Sequence, residues 1–235
     1  MKLAIMQPYF LPYIGYFQLI NAVDKFVILD DVNFIKKGWI NRNRILFNQK
    51  EYLFTIPLEK ISQNKLINEI NLVIDTKWKD KLLKTISTAY RKSPMFVKVF
   101  PLVENIIRFE NNHLSEYLFY SISKLCEYLR IGTHIIKTSS SYNTKQLKGK
   151  EKIIEISVRE NATEYINPIG GIELYNKKDF MAKNIQLFFL KSNNIEYNQG
   201  GGLFMPWLSI IDVMMHNSIE EINCLLNQYS LVDNE

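Results

Sequence analysis

The stretch KLAIMQPYFLPYIGYFQLINAVDKFVILD, residues 2–30, decides the fold. KLAIM (2–6) is a short apolar run and reads as a buried strand. Residues 14–23 carry apolar side chains at helical spacing. KFVILD (25–30) is a second buried strand that ends in a carboxylate. Strand, loop, helix and strand within thirty residues make a βαβ unit, with a crossover long enough for a parallel pair. The join between the first strand and the helix is the odd part. QPYFLPYIGYFQLI (7–20) packs five aromatics, two prolines and a glycine into fourteen residues. A core helix needs no such punctuation. The segment reads as the wall of a pocket, with Gly15 allowing close backbone approach and Gln7, Tyr9 and Tyr16 supplying neutral donors and acceptors.

Outward from this unit the pattern changes and then returns. Residues 45–58 read as a hairpin turning at Asn48-Gln49-Lys50, 70–74 as a further strand, and 77–91 and 100–130 as two long helices separated at Ser93-Pro94. The rhythm of strand and helix resumes at THIIKT (133–138). A serine loop (Ser139–Ser141), a helix near 148–160, the strand EYINP (164–168), a Gly170-Gly171 loop, a helix to about 183 and a strand over 186–190 follow. After the polar loop NQGGGLFMPW (198–207) comes a last helix, 208–228, with Ser209 near its N-cap. The expectation is one α/β domain over 1–235 with a mostly parallel, Rossmann-like sheet and an insertion at 31–130.

Composition narrows the partners. The net charge of +5 permits anionic ligands without demanding them, and no nucleic-acid-binding module is visible. No apolar run is long enough to span a membrane, and the N-terminus has no small-residue cleavage site, which predicts a cytoplasmic protein. Cys126 and Cys224 lie in apolar helical contexts without a CxxC partner or a neighbouring His, so a metal site is not expected.

In open α/β sheets ligands lie beyond the carboxyl ends of the strands, where strand order reverses. Three unusual loops follow predicted strands: 7–15, 139–141 and 168–171. Their shared placement predicts one site, bordered by Gly170 and Gly171. A second candidate is DDVNFIKKGWINRNRI (30–45). Asp30 and Asp31 end a strand; Lys36, Lys37, Arg42 and Arg44 follow, with Trp39 and Asn41 between them. They form either solvated surface pairs or a phosphate-binding rim in which guanidinium forks meet phosphate oxygens and Trp39 offers a face to a base or sugar. Among the three histidines, His216 stands four residues after Asp212 on one helix face, as a local hydrogen bond or as an oriented general base. No nucleophile motif of the GxSxG, HExxH or Walker type occurs.

AIMQPYFLPYIGYFQL, DKFVILDDVNFIKKGWINRNRI, EYINPIGGIELY and FMPWLSIIDVM together resemble the WbqC-like family over nearly the whole chain. The resemblance implies a bacterial protein of O-antigen or other surface-polysaccharide biosynthesis. It suggests acyl or aminoacyl transfer from a carrier-protein or coenzyme A thioester to the amine of a nucleotide-linked amino sugar. Asp31 or His216, the latter oriented by Asp212, would take the amine proton, and Lys37, Arg42 and Arg44 would hold phosphates. A fainter likeness is to nucleotidylyltransferases, which open with a strand, a proline loop and an HxGH helix start. Tyr13-Ile14-Gly15-Tyr16 stands at that place with both histidines replaced by tyrosines, which carry no positive charge near neutrality. That likeness implies ATP-dependent activation of a small acid. A non-catalytic module that binds a nucleotide sugar or a carrier is the third reading.

Overall fold

The computed structural model describes residues 1–233. A six-stranded sheet forms its centre, in the order β5-β2-β1-β6-β7-β8: β5 His134–Ile136, β2 Lys25–Ile28, β1 Lys2–Met6, β6 Glu164–Pro168, β7 Gln186–Ser192 and β8 Tyr229–Val232. The first five run parallel, and β8 pairs antiparallel with β7. This is the mixed α/β, Rossmann-like sheet that the opening stretch predicts. β1 is buried on both faces at Leu3, Ala4 and Ile5, as strands covered by helices on both sides must be. From β1 the chain winds outward through β2 and β5, then returns to β6 on the other side and continues through β7. The order reverses between β1 and β6, and there the carboxyl ends of two adjacent strands diverge into loops.

Helix α1 (Ile14–Asn21) is buried from Ile14 through Ile20. Its one polar residue in that run, Gln18, donates from Nε2 to the carbonyls of Leu225 at 2.8 Å and Gln228 at 3.0 Å, as a polar group inside a core requires. Between β2 and β5 lie the antiparallel hairpin β3 (Arg42–Phe47) and β4 (Lys50–Thr55) and helices α2 (Lys77–Tyr90), α3 (Phe96–Arg108) and α4 (Leu114–Tyr128). The hairpin turns at Asn48 and Gln49, both at positive φ (51° and 61°), the geometry that matches strand twist in a two-residue turn. Apolar side chains of α2, α3 and α4 join those of α1 in one core cluster.

Four elements differ from the sequence reading. Residues 70–74 form no strand; Leu72 bridges Leu58 and Asn71 bridges His113, each in isolation, because the segment threads between two unlike neighbours. The expected helix 100–130 is two helices. Its break at 109–113 is fixed by the Phe109 ring stacked on Tyr120 at 3.8 Å and by Lys79 Nζ donating to the Phe109 carbonyl at 2.8 Å. The expected helix 208–228 is α7 (Ile210–His216) and α8 (Ile219–Leu226). Extended Asn217 separates them, and a capping box from Ser218 to Glu221 starts the second, a spacing that marks helix starts. Strand β8 was not expected at all. Helices α5 (Gly149–Arg159) and α6 (Lys177–Met181) fall inside their predicted spans.

Candidate ligand cleft at the sheet switch point

The loop after β1 and the loop after β6 open onto one cleft of ≈ 520 Å³. Tyr9, Tyr13 and Tyr16 form one wall, Pro168 and Gly170 a second, and Tyr197, Phe204 and Trp207 the third. The first wall is built by the short proline-bounded path from β1 to α1. Tyr16 donates to the Gln7 carbonyl at 3.0 Å and its ring lies 5.6 Å from that of Tyr9. Burial, helped by the neighbouring Tyr13, pushes the Tyr9 hydroxyl up to about 12, and burial holds Tyr16 well above the ordinary phenol range. These groups are therefore neutral donors and acceptors near neutrality.

Gly15 is required by its neighbour: a Cβ there would stand 2.3 Å from the Tyr13 ring. The close approach that glycine permits is made by Tyr13, which folds over the start of α1 and meets Trp207 edge-to-face at 5.7 Å. Gly170 faces open space, whereas a Cβ at buried Gly171 would meet Asn167 Nδ2 at 2.1 Å, so Gly171 packs beneath the cleft.

The acidic pair lies elsewhere. Asp30 accepts from Ser115 Oγ at 2.5 Å and Thr138 Oγ1 at 2.7 Å; Asp31 accepts from Lys152 Nζ at 2.6 Å and from Ser139 Oγ. Both are buried and neither lines the cleft. The serine loop thus serves this network between β2 and α5 and is not brought to the switch point. Asn41 is buried and donates to the Ile56 carbonyl at 2.9 Å. Lys37 is exposed.

Arg42 spends its fork on the carbonyls of Gly38, at 2.9 Å, and Lys37. Arg44 pairs with Glu51 at 2.8 Å and reaches the Trp207 carbonyl at 3.4 Å. Both guanidiniums sit over the Trp39 ring, 5.7 and 5.1 Å from its centre. Trp39 and Arg44 border a smaller cavity of ≈ 240 Å³ that shares Tyr9, Tyr13 and Trp207 with the main cleft.

Asp212 and His216 lie one layer behind the third wall. Fully buried Asp212 accepts from Tyr90 at 2.7 Å, Tyr197 at 2.7 Å and Gln199 at 2.9 Å. His216 Nδ1 donates to the Asp212 carbonyl at 2.9 Å, so its Nε2 is left toward Gly200. Burial, then the Asp212 carboxylate, raises Tyr90 and Tyr197. The reading of the sequence missed Tyr197, Phe204 and Trp207. The signal for Phe204 and Trp207 was in NQGGGLFMPW, directly after Tyr197; this stretch has the same aromatic, glycine and proline punctuation as residues 7–15. Gly200, Gly201 and Gly202 hold φ of 82°, 106° and 90°, values that glycine adopts freely.

Among the described residues no group of His, Cys, Asp and Glu is arranged to hold a metal ion, and no helix is long and apolar enough to cross a membrane. Fold and cleft together define a doubly wound α/β protein with an aromatic-walled cleft at its switch point. The chain belongs to the WbqC-like protein family, whose model matches residues 7–224. It is also similar to an uncharacterized protein, Rv1507c, of Mycobacterium tuberculosis, with 27% identity over 223 residues, 93% of this chain and 95% of that one. No solved structure matches the chain.

Proposed function

We propose that the protein is a transferase of bacterial surface-polysaccharide assembly. It moves an acyl or aminoacyl group from a carrier-protein or coenzyme A thioester to the amine of a nucleotide-linked amino sugar. One observation carries this reading: a cleft of ≈ 520 Å³ with neutral tyrosine walls stands where the strand order reverses, the place at which α/β sheets receive nucleotides. Aromatic rings with polar tips suit sugars and bases, and Gly170 leaves room for a backbone contact. The surface-polysaccharide setting that the family resemblance implies suggests the substrate class. In this reaction the amine nitrogen attacks the thioester carbonyl, the C–N bond forms and the C–S bond breaks. The amine proton passes to the Tyr197 hydroxyl as that hydroxyl gives its own proton to Asp212, and the proton held at Asp212 returns by the same hydroxyl to the leaving thiolate, which departs as a thiol. Direct transfer of this kind needs no enzyme nucleophile.

A second reading has its own observation. Tyr13-Ile14-Gly15-Tyr16 begins α1 against the cleft, the position of HxGH in nucleotidylyltransferases, which favours ATP as ligand. A melting panel separates the two. At a hundredfold excess over Kd a ligand adds ~2.7 kcal/mol, or about 5–10 °C for a chain of this size. Stabilisation by amino-sugar nucleotides, followed by N-acyl product in a turnover assay, is expected. Stabilisation by ATP with magnesium alone would replace the proposal with the adenylyl reading, and sugar-nucleotide binding without turnover would leave a binding module.

A further inference from the structure

We infer that the smaller cavity beside the cleft seats the donor's acyl group and discriminates against a positively charged one; this rests on the acyl-transfer reading above. The two cavities meet at the Tyr13–Trp207 pair, which lines both. At ≈ 240 Å³ the smaller one has the volume of about eight waters at ~30 Å³ each, enough for a short acyl chain and too little for a nucleotide. Its walls are rings and a proline, Tyr9, Pro12, Tyr13, Trp39 and Trp207.

The polar groups there are largely committed. Asn43 donates to the carbonyls of Phe10 at 3.2 Å and Leu11 at 2.8 Å and accepts from the Arg44 amide at 2.8 Å. Arg44 Nε is buried without a hydrogen-bond partner. The electrostatics set the preference. An aromatic cage open on its faces would favour a cation, but Arg42 and Arg44 already occupy the Trp39 ring. Glu51 offsets the Arg44 charge, while Arg42 donates to the carbonyls of Gly38 and Lys37. An acyl group ending in an ammonium would meet like charge; a methyl or carboxylate end would not. The divider is held in a strained conformation. Trp207 is 59% exposed and sits at φ 62°, five residues beyond the last of three glycines. This left-handed conformation is costly for a bulky residue and is found at ligand clamps.

The test uses the full chain carrying Trp78→Phe, which leaves Trp39 and Trp207 as the only tryptophans, both on this cavity. Fluorescence titration compares 4′-phosphopantetheine with its butyryl, succinyl and β-alanyl thioesters, which differ only in an uncharged, negative or positive end. Butyryl and succinyl thioesters are expected to bind at least about tenfold tighter than the β-alanyl one, from charge repulsion at ~6 Å. Arg44→Met and, separately, Arg42→Met should narrow that gap, each affinity being taken relative to unacylated phosphopantetheine on the same variant. The second variant covers a folding defect in the first. Equal or tighter β-alanyl binding, or a gap unmoved in both variants, overturns the inference alone. No binding by phosphopantetheine or any thioester overturns the acyl-transfer reading and the inference with it.

Discussion

Replacing Lys152 by Met tests the buried charge network that fastens β2 to α5. The Lys152 and Asp31 side chains are 4% and 1% exposed, and Nζ stands 2.6 Å from Oδ2. The same Nζ reaches the Asp31 carbonyl at 3.1 Å. Methionine fills similar space without charge, leaving the Asp31 carboxylate with the Ser139 hydroxyl in place of its cation. Stranding one half of a buried pair costs about 3–5 kcal/mol. At ~2–4 °C per kcal/mol for a chain of this length, the melting temperature should fall by roughly 6–20 °C. Asp31→Asn in the same chain removes the stranded charge and should restore more than half of the loss. Calorimetry of the wild type, both single variants and the double variant completes the cycle. A loss below about 3 °C, or a double variant no more stable than Lys152→Met, would refute the argument. The double variant also probes Asp31 as a base: retained turnover would remove that role.

Three further outcomes follow from other buried groups. Tyr197→Phe leaves Asp212 Oδ2 with one fewer donor and should cost about 1–2 kcal/mol in urea unfolding; ligand-induced stabilisation should persist while transfer falls by at least ~10²-fold. Burial pushes the Cys126 thiol up to about 12, and Cys224 is exposed. An aromatic disulfide reagent should therefore label Cys224 alone in the native protein and both thiols in guanidinium. Tyr9 holds its proton to about 12 when folded, against ~10 when unfolded. Its contribution to stability is complete below pH ~10 and is lost as pH rises through 12; Tyr9→Phe should flatten that limb of the stability curve.

The fold was legible where burial on both faces leaves a continuous apolar run, as in β1 and β2. Proline and glycine then marked the loop that became a cleft wall. It was illegible where tertiary partners decide. Residues 70–74 have strand composition but no strand neighbour, and β8 has a half-exposed pattern that only pairing with β7 makes regular. Asp30 and Asp31 looked like an open sheet edge because their partners, Ser115, Ser139 and Lys152, are distant in sequence. Charge and aromatic content drew attention to residues 36–44 at the expense of Tyr197, whose place depends on the buried carboxylate behind it. Ser218-x-x-Glu221 was readable and would have split the last helix correctly.

The bonds that fasten α1 and the loop before it join residues 198 to 210 positions apart: Ser209 Oγ donates to the Leu11 carbonyl and Gln18 to that of Gln228. Synthesis proceeds at ~5–20 residues per second, so a nascent chain carries this buried helix without its C-terminal cover for about 10–40 s. During that interval the segment bearing the first cleft wall is available to chaperones and to other unfinished chains. A ribosome stalled before residue 209 would release a polypeptide with its insertion helices complete and α1 lacking the cover of α7 and α8, a substrate for quality control. Yield in the cell should thus depend on the speed with which residues 209–228 are added, a sensitivity written into the protein by the distance between a helix and its cover.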